Sequence, residues 1–293
     1  MEVIQSVALL RSTLQQKKSG IGASLKAPVG FVPTMGYLHE GHLSLIKAAR
    51  EASEIVVLSI FVNPLQFGPT EDLDRYPRDT ERDLKLAEEA GVDIVFLPQV
   101  EEMYPGPVKT TVSVSGITSV LCGASRPVHF DGVTTVVAKL FNIVQPDKAF
   151  FGLKDAQQVA VVSQMVQDLN MNVDIVACPI LREEDGLAMS SRNVFLSKDE
   201  REQALVLSRS LKAAEAWVRE HASFRAEDLR GAVKAVIEEA PLADIDYVEV
   251  LTYPQLERPE AVEPGVPVQL IVALAVKFGA TRLIDNTILT LGK

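Results

Sequence analysis

A chain of 293 residues that is 47% hydrophobic and 23% charged has enough apolar surface to bury a substantial core, as one large domain or two of ordinary size. Its formal net charge of -10 and pI near 5.0 argue against nonspecific binding to nucleic acid or to an anionic membrane, because either would repel it at long range. Two cysteines, Cys122 and Cys178, stand far apart and outside any metal-ligand spacing; they argue against a disulfide framework and read as small buried apolar residues in a reducing compartment.

The N-terminal stretch MEVIQSVALLRSTLQQKKSG has no basic region ahead of a long apolar run. No apolar run elsewhere reaches bilayer length, so a cytoplasmic protein is expected. Short runs rich in branched residues then alternate with amphipathic stretches. PVGFVP (28–33), IVVLSIFVN (55–63), VDIVFLP (92–98), KAFFGL (148–153) and VDIVACP (173–179) predict buried strands, with helices over 41–53, 79–90, 132–145 and 155–169. This alternation predicts an α/β fold, a Rossmann-like doubly wound parallel sheet, over residues 1–180. Ligands of such sheets bind beyond the carboxyl ends of the strands, where the strand order reverses. Three polar clusters fall at such ends: PTMG after the first strand, NPLQ after the second and GLKD after the fourth.

After about residue 180 the pattern changes. SKDEREQALVLSRSLKAAEAWVREH (197–221) opens on a serine cap candidate with acidic residues in its first turn and continues with one helical period. A second helix near 225–239 precedes apolar segments at 245–252, 266–276 and 281–289, which lack intervening helices and should pair antiparallel. The expectation is a smaller α+β domain over 181–293. RPEAVEPGVP (258–267) reads as a Pro-rich turn, and TTVSVSG (110–116) as a candidate edge strand.

The segment FVPTMGYLHEGHLSLI (31–46) carries His39 and His42 three residues apart, able to share one side of a helical turn. The spacing differs from HExxH and no third ligand is evident, which argues against zinc. Alone, the pair also reads as two partly exposed histidines of a loop and a helix end. In context, the turn at Gly36 and the following helix N-terminus would aim backbone N–H groups at an anion, with both imidazoles beside it. Nucleotidyl transfer to a carboxylate builds negative charge around the α-phosphorus, where donors lower the barrier.

FGLKDAQQV (151–159) adds Gly152, Lys154, Asp155 and Gln158 at a strand end; a lysine suits phosphate, an aspartate a ribose hydroxyl, and a glycine close backbone approach. A solvated surface cap is the other reading of the Lys-Asp pair. GLAMSSRN (186–193) supplies Ser190, Ser191 and Arg192, either in a flexible interdomain linker or in a mobile loop that closes on a triphosphate and carries Arg192 to pyrophosphate. Asn63 and Gln66 are uncharged amides that both donate and accept, suited to a small polyhydroxy acid. The acidic Glu71, Asp72 and Asp74 read as solvated loop, and Asp83 as an exposed helix residue or an outer magnesium ligand.

Taken in order, PTMGYLHEGHLSL, IFVNPLQFGPTEDLDRYPRD, RPVHFDGVTTVVAKLFNIVQPD, FGLKDAQQ and GLAMSSRN resemble the motifs of the pantothenate synthetases, the pantoate:β-alanine ligases of the HxGH nucleotidylyltransferase superfamily. ATRLIDN resembles that family's last strand, and the likeness covers nearly the whole chain. The resemblance implies that D-pantoate and MgATP give an enzyme-bound pantoyl adenylate and pyrophosphate. β-Alanine then attacks to give pantothenate and AMP. It implies no organic prosthetic group and a homodimer.

Carried over by motif, His39 and His42 lie at the α-phosphate with the Met35 backbone nearby, and Gln66 and Gln158 grip pantoate. Gly152 and Asp155 fall at the ribose, Lys154 at the phosphates and Leu181 at the adenine. Met189, Ser190, Ser191 and Arg192 resemble the phosphate-binding loop, and Asn63, Tyr76, Arg126 and His129 match pocket-shaping or β-alanine positions. Leu153, Ala156 and Asp131 depart from residues common in the family, at positions with no chemical role. The nearest alternative is another HxGH small-molecule nucleotidyltransferase, which would need extra cations where this chain has Asn63, Gln66 and Gln158. Because water destroys an acyl adenylate, the pocket should close, with 63–82 and the smaller domain as its walls.

Overall fold

Branched and aromatic runs too apolar to face water on either side form a sheet covered by helices on both faces. The computed structural model describes residues 1–20, 27–69 and 73–292. Its parallel strands are β1 (Glu2–Ile4), β2 (Val29–Thr34), β3 (Ile55–Ile60), β4 (Ile94–Phe96), β5 (Lys148–Gly152) and β6 (Asp174–Cys178), in the order β1-β4-β3-β2-β5-β6. The five expected strands are present. The sixth, β1, carries no signal in the sequence: it is a three-residue edge strand paired with Ile94–Phe96, too short to show a period. Four helices stand where expected, Glu40–Ala52, Thr80–Glu89, His129–Val144 and Ala156–Asp168.

The order reverses between β2 and β5, and the pairing there is short. Only Gly30 and Phe31 are in register with Lys148 and Ala149, whereas β2 pairs with β3 along its whole length. The two strands therefore part toward their carboxyl ends. The HEGH helix start follows β2 and the GLKD turn follows β5, so they face one another across the crevice.

Beyond β6, the strands β7 (Phe224–Arg225) and β9 (Ala261–Val262) form a small ladder, so the Pro-rich turn at 258–267 also contributes a strand. The strands β8 (Ala243–Thr252), β10 (Val268–Phe278) and β11 (Thr281–Leu291) make the expected antiparallel sheet, in the order β11-β10-β8. The single helix expected over 197–221 is two, Lys198–Ala204 and Val206–Glu220, divided at Leu205. Both pieces bury residues in the same core, Ala204 from one and Val206, Leu207 and Leu211 from the other, which is why the period reads through the break. Ser197 caps the first piece, as its sequence suggested, and Glu200 completes a capping box.

The segment 110–116 is not a strand of any described sheet. Its Val112 N–H donates to Thr135 Oγ1 at 3.0 Å and its carbonyl accepts from Thr134 Oγ1, so side chains of a helix occupy the backbone groups a ladder would use. The two halves of the chain share apolar packing: Leu121, Ala156 and Ala160 meet Leu251, Leu256, Ile271 and Ala273, with Leu153 packed against them. The unusual Leu153 and Ala156 thus belong to the seam between the sheets. Cys122 and Cys178 are buried and unpaired by disulfide, as expected.

Candidate active site

The PTMG turn requires its glycine. Gly36 has φ +82, and a Cβ there would lie 2.9 Å from Ile60 and 3.0 Å from the Asp83 carboxylate. Asp83 ties the turn down: its two oxygens accept the N–H groups of Tyr37 and Leu38, each at 2.7 Å. This corrects the expectation of an exposed helix residue, since Asp83 is 1% exposed, and burial raises its carboxyl despite the two donors. With each oxygen accepting a backbone N–H, its geometry is that of a turn anchor.

His39 is the N-cap of the helix Glu40–Ala52, and its Nδ1 accepts the Gly41 N–H at 3.1 Å. His42 completes a reciprocal box, its Nδ1 accepting the His39 N–H at 3.3 Å, with ring centroids 4.0 Å apart. Gly41 is needed for this contact because a Cβ would come within 2.9 Å of the His39 ring. Burial first, then the positive Lys154 nearby, brings the His39 pKa down to about 4, opposed by Asp155 and assisted by Arg82. His42 is held well below its ordinary value by burial, then by His39 and Lys154. Both rings are therefore neutral near pH 7. Since each Nδ1 accepts a backbone hydrogen, each proton sits on Nε2, leaving two preformed neutral donors.

Opposite them, Gly152 ends β5 and the turn Leu153–Asp155 carries Lys154, whose Nζ lies 3.6 Å from Asp155 Oδ2. Asn286 of β11 donates to the carbonyls of Leu153 at 2.9 Å and Lys154 at 3.0 Å, fixing this turn from the second sheet. The neighbouring Asp285 makes a two-pronged ion pair with Arg182, at 2.6 and 2.9 Å, and Arg182 also donates to the Gly186 carbonyl. Met189 N–H donates to the Leu181 carbonyl at 3.0 Å, and Ser190 Oγ caps the following turn by accepting the Arg192 N–H. The 181–193 segment is thus a braced hairpin and not a bare linker.

On the amide wall, Asn63 donates to Gln66 Oε1 at 3.2 Å and to the Gly132 carbonyl at 3.0 Å. Gly132 is sterically required, because a Cβ would overlap the Leu65 carbonyl. The Gln66 carbonyl accepts from His129 Nδ1 at 2.9 Å and Arg126 at 3.3 Å, so these two residues shape the amide wall from behind. Gln158 lies on the first turns of the helix after β5, with its amide in no hydrogen bond among the described residues.

A cleft of about 220 Å³ joins these parts. It is lined by Met35, His39, His42, Asn63, Gln66 and Tyr76 on one side and by Gly152, Lys154, Asp155, Gln158, Leu181, Met189, Ser190, Ser191 and Arg192 on the other. Arg126 and His129 line an adjoining cleft of about 810 Å³, which shares Lys154, Gln158 and Arg192 with the first. Asp83 lines a separate recess behind the PTMG turn. Of the acidic run, Glu71 and Asp72 lie outside the described residues, as does that part of the expected 63–82 wall; Asp74 is exposed. Among the described residues no group of three or more His, Cys, Asp or Glu is placed to hold a metal ion. Sequence reasoning missed Tyr104, Arg182, Asp285 and Asn286. The LIDN motif was the one available signal for the last two.

The pantoate-beta-alanine ligase family model matches residues 2–288. The pantothenate synthetase of Acetivibrio thermocellus is 57% identical over 288 residues, covering 98% of this chain and 99% of that one. Among solved structures, the pantothenate synthetase of Thermus thermophilus superposes with a TM-score of 0.88 at 46% identity, covering 98% and 99% of the two chains. The Francisella tularensis pantoate-beta-alanine ligase, complexed with beta-gamma ATP and beta-alanine, gives 0.77 at 31% identity, covering 98% and 97%. With its HEGH donors, amide wall and hairpin gathered at the strand-order reversal, the chain belongs to the pantoate–β-alanine ligase family.

Proposed function

We propose that this ligase joins D-pantoate to β-alanine through an enzyme-bound pantoyl adenylate. The observation that carries the reading is the meeting of two neutral Nε2–H donors with Lys154 across the crevice between β2 and β5. A pantoate carboxylate oxygen attacks the α-phosphorus of ATP and the bond to the β-phosphate oxygen breaks, releasing pyrophosphate. His39 and His42 donate to the α-phosphate oxygens as charge builds there, and neutral rings do so without a buried charge to desolvate. Lys154, Ser190, Ser191 and Arg192 hold the phosphates and the leaving pyrophosphate.

Gln66 and Gln158 orient pantoate, Met35 offers its backbone beside the phosphate, Gly152 and Asp155 take the ribose, and Leu181 the adenine. Tyr76, Asn63, Arg126 and His129 shape the pocket. In the second step the neutral β-alanine amine attacks the acyl carbon, the bond to the AMP oxygen breaks, and the amine loses a proton.

Magnesium accompanies ATP in this reading. No step is assigned to a protein-bound ion, because the described residues offer no ligand cluster. The reading also takes 1–180 as the nucleotide- and pantoate-binding domain, 181–293 as the smaller domain, the assembly as a homodimer and the location as cytoplasmic. No described helix is long and apolar enough to cross a membrane. The test is pyrophosphate release from MgATP and D-pantoate. About one equivalent per site without β-alanine, and sustained turnover to AMP and pantothenate with it, is expected. Absence of pantoate-dependent release would remove the adenylate.

A further inference from the structure

Backbone groups hydrogen-bond in one sense only, and two of them fix the amide of Asn63. The Leu65 N–H must donate, and it meets Asn63 Oδ1 at 3.3 Å; the Gly132 carbonyl must accept, and it meets Nδ2 at 3.0 Å. The Tyr104 hydroxyl also donates to Oδ1, at 2.8 Å, the shortest of these contacts. The second hydrogen of Nδ2 points to Gln66 Oε1 at 3.2 Å. Gln66 is thereby held with its oxygen toward Asn63 and its nitrogen toward Met35 Sδ, 3.1 Å away at the cleft. Its main chain is pinned independently through its carbonyl by His129 and Arg126.

We infer that Tyr104 is a positioning residue, which acts through Asn63 to keep Gln66 a hydrogen-bond donor toward an acceptor oxygen of pantoate. This rests on the reading above that Gln66 contacts pantoate. Tyr104 does not line the reaction cleft. Its ring is held by Phe61, with centroids 6.1 Å apart, and by Lys139, whose Nζ lies 5.2 Å over the ring, and both contacts survive loss of the hydroxyl. Burial pushes the hydroxyl up to about 12, so it remains protonated and donating across the neutral range. Without it, Asn63 Oδ1 keeps only the longer bond from Leu65, so the amide that orients Gln66 keeps its sense but is held less firmly, and Gln66 spends less time as a donor toward the cleft.

Steady-state kinetics of the full chain test this with Tyr104→Phe, Asn63→Ala, their combination, and Gln66→Ala. Tyr104→Phe should raise KM for D-pantoate about three- to tenfold, the worth of one neutral hydrogen bond, with kcat and the KM values for ATP and β-alanine within about twofold. Adding it to Asn63→Ala should cost nothing further, because the path is already cut. Melting temperatures are read alongside, since lost stability alone does not raise one KM selectively. An unchanged pantoate KM in Tyr104→Phe, or equal rises for all three substrates, would overturn the role while leaving Gln66 as a pantoate contact. An unchanged pantoate KM in Gln66→Ala would instead remove the contact on which the role depends.

Discussion

At His39 and His42 the same rings that cap a helix are the ones the proposed function gives a chemical task. Each Nδ1 satisfies a backbone N–H at the start of the helix Glu40–Ala52, and that engagement fixes the proton on Nε2 of two rings that line the cleft. His42→Ala should retain the fold and lose adenylate formation by on the order of a hundredfold, read as pantoate-dependent pyrophosphate release. A pH dependence follows from the same burial. His39 is lowered to about 4 from 6.5, so below pH 6.5 the unfolded chain binds a proton that the folded ring refuses. Stability should therefore fall as pH drops from 6.5 toward 4, measured as a urea midpoint, and His39→Gln should flatten the slope. An equal slope in that variant would show that other groups dominate.

Between the residue and the whole molecule, close approaches decide where elements sit. The helix His129–Val144 reaches the NPLQ turn only because Gly132 leaves room for the Leu65 carbonyl, and its own carbonyl receives Asn63. Gly132→Ala should push the turn outward, lower the melting temperature and raise KM for D-pantoate more than KM for ATP, because the histidines to which the proposed function gives the ATP phosphates stand on another helix. Equal effects on both substrates would place the disturbance elsewhere. Most elements were legible from the sequence, since buried strands and amphipathic helices carry their own periods. Among the exceptions are β1, which gains its partner only from β4, the helix Val7–Gly20, the short β7–β9 ladder, and the break at Leu205, where both pieces face one core. The segment 110–116 had strand composition, yet Thr134 and Thr135 claimed its backbone groups.

Across the whole molecule, the second sheet is part of the site. Asn286 secures the Lys154 turn, and Asp285, 1% exposed at its side chain, holds Arg182 at the base of the 181–193 hairpin. Arg182→Leu would leave a buried carboxylate unpaired, at a cost of about 3–5 kcal/mol, and should loosen the hairpin. Greater protease sensitivity near 181–193 together with a raised KM for ATP is expected; unchanged values of both would refute the bracing. The apolar seam of Leu153, Ala156, Leu251 and Ile271 joins the two sheets. That packing ties the two halves together along the seam.

The sequence by itself determined the parallel sheet, the antiparallel second sheet and the nearness of HEGH, NPLQ and GLKD to strand ends, because period and local turn chemistry act over a few residues. Its five ordered motifs also pointed to the family. Only the tertiary structure decided that Asp83 is a buried turn anchor, that Asp285 pairs with Arg182 across 103 positions, and that Tyr104 reaches Gln66 through Asn63. Those partners are far apart in the chain, and a hydrogen bond or ion pair leaves no period behind; it exists only once packing has brought both ends together.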